Sequence, residues 1–181
     1  MEAYQKPAKR RSEAAWVENG SLCAQALGGT GKERLCFSFP LAAELQLRFA
    51  EKPEGAYCRT ADAGRYAAAV GGQTRQCAAA RTQNVLIYRI TAAESFAVSL
   101  RFSRGTRAKQ SLRMDEAMNL VGETGCLRVE LETDEGMVSH AIRGMTVKLA
   151  RSVTLYFAAA ADMQACKELI RLAKEEGDAA K

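Results

Sequence analysis

Residues 152–176, SVTLYFAAAADMQACKELIRLAKEE, change hydrophobic period in mid-course. Val153, Leu155 and Phe157 alternate with Thr154 and Tyr156, the period of a strand. From Asp162 onward Met163, Cys166, Leu169, Ile170 and Ala173 recur three and four apart, which makes one apolar stripe on a helix, with Gln164, Lys167, Glu168, Arg171 and Lys174 on the other face. Asp162 suits the N-cap of that helix and Gly177 its C-terminal stop. A strand that feeds a terminal helix needs a surface for the stripe to cover, and nearly everything upstream reads as short strands. The expected fold is therefore mainly β, with Met163, Cys166, Leu169 and Ile170 as the plug of a sheet structure.

The strand signals come in order. Residues 21–27 and 34–39 flank GGTGK, and 45–49 follow. After the break EKPEG come 57–60, 74–80, 84–90 (NVLIYRI) and 96–102, where Phe96, Val98, Leu100 and Phe102 alternate with small or polar residues. Residues 111–114 lead into DEAMNLVG, which fits either a short helix or a strand through a bend, so 114–121 stays open. CLRVELE at 126–132, a turn at 133–136, and runs at 137–142 and 145–149 complete the series before the terminal stretch. GGTGKE lacks the first glycine and the Ser or Thr of a phosphate-binding loop, and no helical pattern follows, so it reads as a hairpin turn.

At 181 residues the chain can bury a core without staples. It divides into a disordered basic tail at 1–14, a strand-containing extension at 15–52 and a main β domain at 53–177. No apolar run reaches the roughly 18 residues that a membrane-spanning helix needs, and the N-terminus lacks a signal-peptide pattern, so the expected location is cytoplasmic, peripheral to a membrane or a cytoskeletal structure. The six cysteines stand singly and read as core residues in a reducing compartment. His140 is the one histidine, which leaves no partner for a metal pair, and no triad or acid/base pair stands out; no catalysis, metal or cofactor is expected. A net charge of +5 favours an acidic partner.

Residues 53–176 resemble a pleckstrin homology domain. The resemblance rests on NVLIYRI in place of the family's second-to-third strand turn, QSLRMDEAMNLVGETGCLRVELETDEG through its fourth and fifth strands, and TLYFAAAADMQACKELIRLA for its last strand and helix. It implies a bent antiparallel sandwich or barrel of about seven strands closed by a C-terminal helix. Lipid-binding members grip inositol phosphates with basic residues of the first two strands, and the matching positions here are Arg59, Arg65 and Arg75, with Lys109 contributing from the start of the fourth strand. The function so implied is a non-enzymatic adaptor that binds a protein partner or an anionic, phosphoinositide-containing membrane.

Two other readings compete. A helix at 114–121 would give the strands–helix–strands–helix order of Whirly or guide-RNA-binding proteins, which bind single-stranded nucleic acid. Arg101, Arg104, Arg107 and Lys109 would then line a sheet edge, with Tyr88, Phe96 or Phe102 for stacking. The third reading is a structural part of a larger assembly, docked through its basic segments and residues 16–49.

Overall fold

The computed structural model describes residues 2–39, 41–62, 64–103 and 110–177. The protein is mainly β, with 62% of it in strands, and its curled antiparallel sheet forms a half-barrel closed by one C-terminal helix. This shape is compatible with a pleckstrin-like fold, but the strand count is about 14 instead of seven. The strands are β1 (Glu2–Tyr4), β2 (Ala15–Asn19), β3 (Leu22–Ala26), β4 (Lys32–Phe39), β5 (Ala43–Phe49), β6 (Tyr57–Asp62), β7 (Arg65–Val70) and β8 (Gln73–Ala79), then β9 (Val85–Phe102), β10 (Ser111–Met114), β11 (Met118–Gly122), β12 (Gly125–Thr133), β13 (Met137–Ala141) and β14 (Gly144–Ala160). Helix α1 spans Met163–Glu175.

Two long strands form the spine. The runs at 84–90 and 96–102 are one strand, β9, and those at 145–149 and 153–157 are one strand, β14. Small and polar residues at 91–95 interrupt the alternation without ending β9. Register shifts on either side of Ala150 bend β14 as it pairs with β9. Each half of the spine carries its own neighbours. The first half of β9 pairs with β8, leading on to β7, β6 and β1, while its second half pairs with β5, leading on to β4, β3 and β2. The far edge of β14 is shared between β13 and β12, and β12 continues to β11 and β10.

Three segments find their place in this sheet. Residues 15–52 supply four strands of this same sheet, and Val17, Leu22, Leu35, Phe37, Leu45 and Leu47 share one core with Tyr88, Leu100, Val147 and Phe157. The segment 1–14, expected as a disordered basic tail, is tied down at several points. Glu2–Tyr4 pairs with β6, the Ala8 amide donates to the Leu27 carbonyl at 2.9 Å, and a single 3₁₀ turn forms at Arg11–Glu13. Residues 111–122 form the β10–β11 hairpin, turning at Asp115–Ala117, where the Asp115 carboxylate accepts from the Ala117 amide at 2.7 Å. The second helix of the nucleic-acid reading is therefore a pair of strands.

Alternation along the spine sends side chains to two cores. Leu86, Tyr88, Ile90, Val153, Leu155 and Phe157 face the main core, whereas Val85, Ile87, Tyr156 and Ala158 face the helix. Cys166 and Ile170 are buried there with Ala173, and Met163 and Leu169 are half-buried against them. The four plug residues thus do pack on the sheet, but in a second cluster on the face opposite the main core. The Asp162 carboxylate caps α1 by accepting from the Ala165 amide at 2.8 Å. Among the described residues, no helix is long and apolar enough to cross a membrane.

Candidate functional site

Of the four positions implied by the family resemblance, the three described ones do not form one open cluster. Arg65 is exposed at the start of β7, and Lys109 lies outside the described residues. Arg59 and Arg75 are inside, 2% and 0% exposed, and serve the N-terminal segment and the loop between β3 and β4 respectively. Arg75 donates through Nε to the Gln73 amide oxygen at 2.7 Å and through its two terminal nitrogens to the carbonyls of Gly29 and Thr30. Its guanidinium lies 4.0 Å over the Phe49 ring. Arg59 donates to the Glu13 carbonyl at 2.7 Å and sits 4.4 Å over the Tyr4 ring. These two cations hold down the GGTGK loop and the N-terminal segment. Gly28 has φ +74°, and a Cβ there would collide with the Tyr57 hydroxyl and Arg59, which is why glycine opens this loop.

Beneath the loop lies Glu33, fully buried. Its carboxylate accepts from the Gly28 amide at 2.7 Å, the Arg34 amide at 3.1 Å, the Tyr66 hydroxyl at 2.9 Å and the Tyr88 hydroxyl at 3.4 Å, and it pairs with Arg75 at 3.7 Å. Burial pushes the Glu33 carboxyl above its usual range despite the opposing pull of Arg75. Burial and the Glu33 charge push the Tyr66 and Tyr88 hydroxyls up, and Cys77 to about 12. With its polar atoms satisfied and its side chains in the core, this cluster fixes a loop. It offers no open surface to a ligand.

Open charge gathers elsewhere, on the solvent side of the second half of the spine. Residues paired directly across strands lie on one face of a sheet. One row runs Lys32, Arg48, Ser99, Thr146 and Ser139 across β4, β5, β9, β14 and β13; the next runs Arg34, Gln46, Arg101, Gly144 and Ala141. Lys148 follows Thr146 on the same side, and Arg143 stands in the turn between β13 and β14. The alternate residues Leu45, Leu47, Val98, Leu100, Met145 and Val147 are buried in the main core, so the cationic side chains have no choice but to face out. Four inter-strand steps of about 4.8 Å make this face ~19 Å across. A groove on it is lined by Arg48, Arg101 and Arg143 with Gln46, Ser99 and Thr146.

This face is not neutralised. Arg34 meets Glu44 at 3.9 Å at one margin. Among the described residues, no carboxylate pairs with Lys32, Arg48, Arg101, Arg143 or Lys148. Lys32 stands directly opposite Arg48, a like-charge pair that weakens a sheet. The N-terminal segment continues the field, because the Arg11 carbonyl accepts from Gln25 at 3.2 Å on this side and Lys9 and Arg10 are exposed beside it.

Sequence reasoning found Arg101, assigned to a sheet edge, but not Lys32, Arg34, Arg48, Arg143 or Lys148. Each strand's alternation marked its own basic residue as outward, yet only the pairing order sets five strands side by side. The other expected nucleic-acid contacts, Arg104, Arg107 and Lys109, lie outside the described residues; of the intended stacking residues, Tyr88 and Phe102 are buried, at 0% and 7% exposure, and Phe96 is half-buried against Phe49. His140 is exposed, and among the described residues no three His, Cys, Asp or Glu side chains gather as a metal site. In comparisons with known proteins, no family model and no curated protein matches this sequence.

Proposed function

We propose that the chain is a non-enzymatic docking domain that lays the β4–β5–β9–β14–β13 face on an anionic phospholipid surface. The observation that supports this reading is the set of unneutralised cations on β4, β5, β9 and β14 and in the β13–β14 turn, which is maintained although Lys32 and Arg48 oppose each other. Each cation held near an anionic lipid surface contributes about 1 kcal/mol, so the five unpaired ones give useful but reversible attachment that fades with salt. The two rows that cross the face carry no aromatic side chain on which a base could stack. Because Arg59 and Arg75 are engaged inside, attraction depends on membrane charge, not on a fitted inositol phosphate pocket.

Co-sedimentation with vesicles tests it. The chain should pellet with phosphatidylcholine vesicles that contain phosphatidylserine, and not with phosphatidylcholine alone. Arg48→Glu with Arg101→Glu should abolish pelleting while leaving the melting temperature unchanged, since both side chains face solvent. Equal binding by the double variant, or no binding by the parent chain to any anionic vesicle, sinks the proposal, and the second result transfers the basic face to an acidic protein partner.

A further inference from the structure

The hairpin of β13 and β14 carries features that the basic face does not explain. Among the described residues β13 pairs with β14 alone, and all five of its residues are exposed. Natural edge strands are usually blunted by Lys, Pro or a bulge, because unpaired N–H and C=O groups invite another strand. Met137–Ala141 reads MVSHA and contains none of those devices. Of the six exposed large hydrophobic residues among the described residues, Met137 (60%), Val138 (39%), Ile142 (89%) and Leu149 (61%) all lie on this hairpin. Leu149 has φ +60°, a left-handed conformation that costs a leucine energy, and it lies just past the Met137–Lys148 pair.

We propose that the free edge of β13 takes up an extended peptide segment that alternates acidic with apolar residues, added as one more strand of the sheet. The register sets this pattern. Met137, Ser139 and Ala141 share the side of Lys148 and Thr146, next to Arg143, so an added strand would meet cations on that side. Val138 and His140 pair with Val147 and Met145 and lie on the core side, where an apolar residue would cover Val138. A second copy of this chain fits poorly, because β13 carries no acidic residue and edge-to-edge pairing would bring two sets of Lys148 and Arg143 together. Lipid fits poorly as well, since hydrocarbon offers nothing to unpaired backbone groups.

The test uses the full chain and two capped eight-residue probes, one alternating valine with glutamate and the other valine with lysine. The glutamate probe should bind at least roughly tenfold tighter, as charge complementarity requires. It should slow hydrogen exchange at alternate amides of β13. Val138→Asp should remove this binding and leave phosphatidylserine vesicle binding intact, which separates the edge from the basic face. The proposal is overturned if the two probes bind alike, if β13 exchange is unchanged by either, or if β13 becomes protected merely on raising the protein concentration.

Discussion

Replacing Arg75 with methionine should cost stability in a pH-dependent way. The change keeps an apolar stem over Phe49 but removes the donors to Gly29, Thr30 and Gln73 and the cation beside Glu33. Breaking a buried ion pair by removing one partner costs about 3–5 kcal/mol, a large part of the ~5–15 kcal/mol that holds a typical domain together. The pH dependence follows from Glu33. Its folded-state pKa is raised above the ordinary 4.5, so the folded state binds the proton more tightly than the unfolded chain does. The associated stability is fully present below 4.5 and is lost as pH rises through the folded value. Without Arg75 the opposing pull on that carboxyl disappears, the folded pKa climbs further, and the loss continues over a wider range of pH. Urea unfolding of the parent and of Arg75→Met, from acid to neutral pH, should therefore show a difference that grows as pH rises. Adding Glu33→Gln should recover part of the neutral-pH loss, because no carboxylate then remains to be left alone in the core. A loss below about 1 kcal/mol, or a loss that does not vary with pH, would refute the assignment of Arg75 as the partner of a buried charge.

Two smaller perturbations test other parts of the fold by thermal unfolding. Cys166 is fully buried between α1 and the sheet, its thiol donating to the Cys126 carbonyl at 3.5 Å, so Cys166→Asp should cost several kcal/mol, and an unchanged melting temperature would mean that the helix is not docked there. Leu149→Gly should relieve the left-handed strain and stabilise the chain by about 1 kcal/mol, or ~2–4 °C for this size. A fall in melting temperature would instead show that the exposed leucine makes contacts the fold needs.

Much of the architecture could be read from periodicity because burial acts directly on it. In β12, Leu127 and Val129 alternate with Arg128 and Glu130, and in α1 the stripe of Cys166, Ile170 and Ala173 marks the buried side. What failed depended on contacts distant in sequence. Residues 1–14 have the composition of a solvated tail, but β1 finds an edge on β6 and Tyr4 finds the Arg59 guanidinium, and neither partner is visible locally. Arg75 carries a usable signal that charge alone concealed: it shares strand parity with Gln73 and Cys77, both buried, and opposes Thr74 and Gln76, both exposed. Parity therefore placed it inside, where a cation requires partners. Those partners are the carbonyls of Gly29 and Thr30, on a different hairpin.

The same distinction separates structural from available charge across the molecule. Arg59, Arg75 and Arg128 are 2% exposed or less, and each is engaged by acceptors inside the fold; Arg59 donates to the Glu13 carbonyl at 2.7 Å, and Arg128 to Glu130 at 2.7 Å and Asn119 at 2.8 Å. Around the helix, Lys174 bridges Glu130 and Glu132, and Arg171 bridges Glu168 and Glu175, so each of these cations is met by two carboxylates. The face of Lys32, Arg48, Arg101, Arg143 and Lys148 has no such compensation among the described residues. Surface ion pairs contribute little to stability, so placing carboxylates opposite these cations would have been easy and nearly free of consequence for folding. Pairing around the helix and its absence on this face set apart two regions of the sheet surface opposite the main core. In the proposed docking, an anionic surface approaching from solution is drawn to the β4–β5–β9–β14–β13 face, and the free edge of β13 lies at the side of that face.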